Sequence, residues 1–281
     1  MKSKLLNIGC GVVCDPAWIN LDSAPAAAGV IRHDITKGLP FEDNTFDACY
    51  GSHIVEHLTQ TQAADLVQEM QRVLRPSGTI RLVVPDLEAM VRLYQQILDE
   101  LDAGNVSRAA DYDWMMLELF DQTSRDFAGG EMGKYLARPD IPNRVFIESR
   151  IGDEARSFWD ARKKPTFSGA LLKLRARGLG WTISFLRARL TSLLILVSTG
   201  AKQRTAFETG MFRASGEVHR WMYDRYSLRR LLEQAGYSEI SVCSAFESRI
   251  PGFESYGLDA VDGHVRKPDS LFMEASKPSR K

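Results

Sequence analysis

Five short apolar runs lie within the first 85 residues of the chain, and a helical pattern separates the last two. Leu5-Leu6-Asn7-Ile8 stops at Gly9, Trp18-Ile19-Asn20-Leu21 at Asp22, and Val30-Ile31-Arg32-His33 at Asp34. Phe46 to Tyr50 and Thr79 to Val84 follow, the last stopped by Pro85. Runs this short, bounded in this way, read as buried strands. Between the fourth and fifth, Leu66, Val67, Met70, Val73 and Leu74 recur at helical spacing. Threonines 59 and 61 are N-cap candidates there, and Arg75-Pro76-Ser77-Gly78 is the stop. A second helix is expected after Asp86, with Leu87, Met90, Val91, Tyr94, Ile97, Leu98 and Leu101 on one face. Strands alternating with helices predict a Rossmann-like, doubly wound α/β sheet, mostly parallel.

The pattern breaks and then resumes. From 103 to 215 the chain is helix-prone (Tyr112 to Gln122, for example), rich in Arg and aromatics, and without strand alternation. A helix from Ser227 to a stop at Gly236, with the serine as cap, then precedes strands expected at Glu239 to Ala245 and Ser270 to Ala275. We therefore read residues 1–102 as the first part of a core, 103–215 as a helical insertion or lid on the substrate side, and 216–281 as the core's end. Lys+Arg and Asp+Glu are both 36, so no global field favours nucleic acid. The four cysteines are scattered without a CxxC pair, which argues against a disulfide scaffold or a zinc site, and no metal is expected. No signal peptide is read at the start of the chain, and a cytoplasmic location is expected.

Three consecutive strand ends carry the chemistry. Asn7-Ile8-Gly9-Cys10-Gly11 follows the first strand, where glycines let the backbone turn tightly and approach a ligand. Asp22 ends the second, where a carboxylate can accept both ribose hydroxyls of an adenosine; Asp34 ends the third, placed to meet an adenine amino group. A nicotinamide dinucleotide site needs a third glycine where Cys14 stands, and an acid about 20 residues beyond the turn. Asp22 is much closer. A nicotinamide-dependent oxidoreductase is thus the weaker alternative, and the absence of GKS/T excludes a P-loop.

Together with Asp34-Ile35-Thr36, Leu39-Pro40-Phe41, Phe46-Asp47, Ile54-Val55-Glu56-His57-Leu58 and Val73-Leu74-Arg75-Pro76-Ser77-Gly78-Thr79, the glycine turn resembles the type-11 branch of class I S-adenosylmethionine (SAM)-dependent methyltransferases. The resemblance covers about residues 4 to 88 and the helix-strand pair Arg225 to Ser244. It implies a seven-stranded sheet with a reversed last strand and SAM as cofactor. It also implies that Gly9 and Gly11 face the methionine part, Asp22 the ribose, and Asp34 and Ile35 the adenine. Ser52 and His53 would border the methyl-transfer face. Asn7 stands where many relatives carry an acid, and Cys10 lies inside the turn.

A hydroxyl acceptor needs a general base in reach. His53 is the first candidate, beyond the fourth strand; His219, in a polar and aromatic stretch before the last helix, is the second. Glu56 and His57 read as packing. From Ala161 through Phe207 there is no acid, while ten Lys and Arg residues alternate with Leu, Trp and Ile. This stretch, residues 161–207, offers a peripheral contact with an anionic membrane, at its inner face, or with a lipid-linked substrate. A small-molecule methyltransferase, O-methylating a sugar or a cell-envelope intermediate, is the leading reading. The alternative is a catalytically silent SAM-fold protein whose basic insertion tethers a partner or membrane.

Overall fold

The computed structural model describes residues 3–163 and 178–279, with 162–163 and 178–184 described by backbone alone. Its strands are β1 Leu5–Ile8, β2 Trp18–Asp22, β3 Ile31–Arg32, β4 Phe46–Ser52, β5 Leu74–Pro85, β6 Ser238–Cys243, β7 Ala260–Val261, β8 His264–Val265 and β9 Ser270–Ser276. Seven of them form one sheet in the order β3-β2-β1-β4-β5-β9-β6, and β7 pairs with β8 as a separate hairpin. The first five run parallel, whereas β9 lies antiparallel between β5 and β6. This is the Rossmann-like sheet with a reversed last strand.

Alternation of side chains along each strand gives the sheet two apolar faces. Leu6, Ile8, Leu21, Cys49, Ile80, Leu82 and Val84 pack under two helices, α1 (Gln60–Val73) and α9 (Arg225–Gln234). Each fully buried Leu, Ile or Val there contributes about 1.5–3 kcal/mol. Leu5, Trp18, Ala48, Tyr50 and Val83 face the other way, onto Ala245, Ile250, Phe253, Leu258 and Ala260. That second cover is a short 3₁₀ turn (Phe253–Tyr256) and the β7–β8 hairpin rather than an α-helix.

What ties this irregular cover to the sheet is a buried cation. Arg81, in the middle of β5, is fully buried; its Nε donates to Asp259 Oδ2 at 2.7 Å and Nη1 to Glu274 Oε1 at 2.8 Å. Its remaining N–H groups reach the Glu247 and Ser244 carbonyls, both at 2.9 Å. The Tyr50 hydroxyl donates to the other Asp259 oxygen. A buried charge persists only when paired and hydrogen-bonded in this way.

Beyond β5 the chain builds a helical unit from α2 (Leu87–Asp102), α3 (Ala109–Ser124), α4 (Gly130–Leu136), α5 (Arg144–Ile151) and α6 (Asp153–Lys163). It has its own core around Trp114, Met115, Tyr135, Ile147 and Trp159, to which α2 contributes Met90 and Ile97. Then come α7 (Gly178–Thr199) and α8 (Ala201–Arg213). Of the basic and apolar stretch read at 161–207, residues 164–177 lie outside the described residues, as do the side chains of Arg162, Lys163, Leu179, Trp181 and Ile183.

Several local expectations shift. Thr59, not Thr61, caps α1, in a capping box with Gln62. Arg75-Pro76-Ser77-Gly78 follows the end of α1 at Val73, as expected, but it lies inside β5, where the β4–β5 register is irregular and Ser77 sits at φ 65. The cap of α9 is Asp224, with Ser227 as its partner three residues on, so the helix starts earlier than read. The third strand shrinks to Ile31–Arg32, because Asp34 turns the chain into a 3₁₀ segment by accepting from the Thr36 amide.

Candidate functional site at the carboxyl edge of the sheet

The turn after β1 is built from its own amides. Gly9 (φ 64) and Gly11 (φ 53) both take the left-handed conformation that glycine tolerates, and a Cβ on Gly9 would lie 2.2 Å from Ile54 Cγ2. The loop 9–17 holds no helix. Two buried amides shape it instead: Asn7 Nδ2 donates to Val13 O (3.2 Å) and Asn20 Oδ1 (3.0 Å), and Asn20 Nδ2 to Asp15 O (3.0 Å). The neutral amide at position 7 therefore orders the turn through its N–H donors, which an acid could not supply. Its Oδ1 is buried without a partner.

Two cavities open along this edge and share Gly9 and His53. One, of about 440 Å³, is lined by Asn7, Gly9, Cys10, Gly11, Ser52 and His53. The other, of about 470 Å³, is lined by Gly9, Asp22, Asp34, Ile35 and His53, with His57 and Arg220. Every residue read as cofactor-binding thus falls on one of two adjoining cavities. His219 lines neither; it borders a third, with Thr59, Thr123, Arg213 and Trp221. Asp153, Asp259, Arg266 and Lys267 also line the first cavity, and no motif in the sequence pointed to them. Arg266 Nη1 meets Asp153 Oδ2 at 3.0 Å, latching the start of α6 to the C-terminal cover.

The acids differ in their partners. Asp22 spends one oxygen on the Gly11 amide (2.8 Å) and the other on the Ala24 amide (2.7 Å). Asp34, although exposed, is held below the usual carboxylate range by the Thr36 side chain and amide. The Cys10 thiol is pushed up to about 11, first by burial and then by the Asp22 charge.

His53 takes a positive φ of 53, an uncommon conformation for a non-glycine residue, with its amide bonded to Val83 O at 2.8 Å. Its Nδ1 lies 3.2 Å from Glu56 Oε1 and its Nε2 2.9 Å from Ser270 Oγ. Glu56 is fully buried. Burial works against its charge, but His53 and then His219 and His57 more than offset this and hold it down to about 2. Burial lowers His57, and lowers His219 to about 3, so both rings are neutral at pH 7. Backbone bonds join these parts: Arg220 N to Glu56 O at 2.6 Å and His219 N to Gln122 O at 2.9 Å.

Residues 6–82 match the family described as a methyltransferase domain, type 11. Among curated proteins none matches the chain. Among solved structures, the chain is similar to a SAM-dependent methyltransferase from Thermotoga maritima (11% identity, 99% of this chain and 83% of that one, TM-score 0.39). It is also similar to a chain from the complex of the Trm112 methyltransferase activator with a candidate methyltransferase, from Haloferax volcanii (10% identity, 100% and 84%, TM-score 0.40).

Proposed function

Because the chain carries a class I SAM-dependent methyltransferase domain, we propose that it O-methylates a small hydroxylated acceptor, a sugar or a cell-envelope intermediate. SAM supplies an activated sulfonium methyl, and the transfer is an in-line displacement in which the protein aligns, excludes water and moves a proton. In this reading Asp22 meets the ribose and Asp34 and Ile35 the adenine. Asn7, Gly9, Cys10, Gly11 and Ser52 enclose the methionine part.

The observation that favours a hydroxyl acceptor is the Glu56–His53 pair. A buried, ionised carboxylate 3.2 Å from Nδ1 orients the ring. His53 lines both cavities, and its other ring nitrogen is bonded to Ser270 Oγ, which an acceptor hydroxyl would displace. His53 is then the general base. With radiolabelled SAM and a panel of sugars and lipid-linked sugars, His53→Gln should lower kcat by about 10²–10⁴-fold, the usual worth of a positioned base. SAM affinity should stay within a fewfold. Transfer to no hydroxyl acceptor, or an unchanged kcat, would overturn the reading.

The α7–α8 pair favours an acceptor presented at a membrane. Its polar contacts turn inward, with Ser192 Oγ on Glu208 (2.7 Å) and Arg204 Nε on Ser192 Oγ (3.0 Å). Leu186, Leu190, Leu193, Leu194 and Val197 form an exposed stripe at helical spacing, beside exposed Arg187 and Arg189. Among the described residues no helix is long and apolar enough to cross a membrane, so the contact proposed is a peripheral one. Replacing Leu190, Leu193 and Leu194 by Gln should abolish co-sedimentation with anionic vesicles; equal sedimentation would reject it.

A further inference from the structure

Between the second and third cavities, three side chains bring buried polar atoms close to one another. Glu56 is fully buried and both its oxygens lack a hydrogen-bond partner, His53 Nδ1 standing near one of them. His57 Nδ1 and His219 Nδ1 are also buried and unpartnered. One ligand atom from each of the three lies within 4.8 Å of the others. The His57 and His219 rings meet edge to face with centroids 4.7 Å apart. A buried polar atom without a partner is costly, and three in one place, beside a Glu56 oxygen that faces only His53, need a common explanation.

We infer that Glu56, His57 and His219 bind a divalent first-row transition-metal ion. Two imidazoles and one carboxylate are the donor set that zinc takes in three-ligand sites and ferrous iron in facial triads. Magnesium and calcium prefer all-oxygen sets. The scattered cysteines lead to the expectation of no zinc site and no metal; a set of two imidazoles and a carboxylate uses no thiolate and lies outside that argument. An ion bonded at about 2.0–2.2 Å would draw the three donors together by small side-chain rotations. The outer contacts fit as well. His57 Nδ1 is buried without a hydrogen-bond partner, and His53 sits on Glu56. The ion would pin residues 218–221, which border the third cavity, to the turn after β4, which borders the second.

The test uses the whole chain, freed of metal by chelator and dialysis and measured without SAM, so its outcome is independent of methyl transfer. Zn²⁺ titrated by calorimetry should bind at one equivalent. Co²⁺ should show absorbance bands distinct from those of the aqueous ion, displaced by Zn²⁺ and not by Mg²⁺. His219→Asn and Glu56→Gln should each weaken binding by more than the roughly 10–100-fold that loss of an outer-shell residue costs. His264→Ala, far along the chain, should leave it intact. Near-UV circular dichroism checks the fold of each variant. Should a variant unfold, the cobalt bands of the unaltered chain decide. Bands matching the aqueous ion, no stoichiometric binding, or binding that folded variants retain would overturn the inference.

Discussion

The Asp22 carboxylate accepts the Gly11 amide at 2.8 Å, so the acid that ends β2 also shapes the glycine turn that follows β1. Its second oxygen accepts the Ala24 amide at 2.7 Å. Each oxygen keeps a lone pair, and a ribose can therefore be accepted without releasing the backbone. Asp22→Ala removes both functions at once and should weaken SAM by about 100-fold or more, since hydrogen bonds to a charged group contribute about 1.5–3 kcal/mol each. Asp22→Asn keeps one acceptor and should lose about tenfold. Calorimetry with S-adenosylhomocysteine checks both; an unchanged affinity for Asp22→Ala would remove Asp22 from the cofactor site.

The strand ends were legible because each is announced locally, by an apolar run and the residue that stops it. That is enough to place Gly9, Gly11, Asp22 and Asp34 along one edge. Arg81 and Asp259 are 178 residues apart in sequence, and no periodicity marks the irregular cover that brings them together. The same cover carries Arg266 and Lys267 into the first cavity, and they too were invisible. Glu56, His57 and His219 could each be singled out, but what joins them is a backbone bond from Arg220 to Glu56 that only the folded chain shows. Pro76-Ser77-Gly78 marked the end of α1 but hid the early start of β5, because residues that stop a helix also accommodate an irregular strand.

Glu69 sets a pH dependence at the turn after Asp34. Its oxygens accept Arg72 Nε (2.7 Å), Arg72 Nη2 (2.8 Å) and the Leu39 amide (2.8 Å), while Arg72 also holds the Leu39 and Phe41 carbonyls. Arg72's hydrogen bonds, chiefly, lower Glu69 below its ordinary 4.5. A carboxylate lowered on folding stabilises the protein above its unfolded value and loses that contribution as pH falls through the folded one. Urea midpoints should therefore show Glu69→Gln less stable than the parent at pH 7. The gap should shrink steadily below about pH 4.5. A gap of constant size from pH 7 to 3 would contradict this.

Cys10 reports on the same cavity by its reactivity. With its pKa pushed up to about 11, the thiolate is on the order of 0.1% of the population at pH 8. Iodoacetamide labelling of Cys10, followed by peptide mass spectrometry, should be slow at pH 8. It should rise about tenfold per pH unit toward pH 10. Because Cys10 lines the cavity assigned to the methionine part, S-adenosylhomocysteine should slow it further. Fast labelling at pH 7, or labelling indifferent to that ligand, would place the thiol outside the site.

Arg81 holds the helix-free face of the sheet closed. Arg81→Met leaves Asp259 buried without its cation and Glu274 with Arg249 alone, at 3.4 Å, and should cost about 3–5 kcal/mol, read from urea midpoints. Asp259→Asn alone should cost less, because Glu274 and two carbonyls still satisfy the guanidinium. Arg81→Met combined with Asp259→Asn and Glu274→Gln should recover part of the loss, since no uncompensated charge then remains buried. The effect should reach the cofactor as well. Leu258, Asp259 and Phe272 wall the first cavity, and Arg81 lies 4.6 Å from the Phe253 ring and 5.5 Å from that of Phe272. A folded Arg81→Met protein should therefore bind S-adenosylhomocysteine more weakly than the parent, although Arg81 is not among the residues lining either cavity. Full stability with normal binding would show that the cover is held by apolar packing alone.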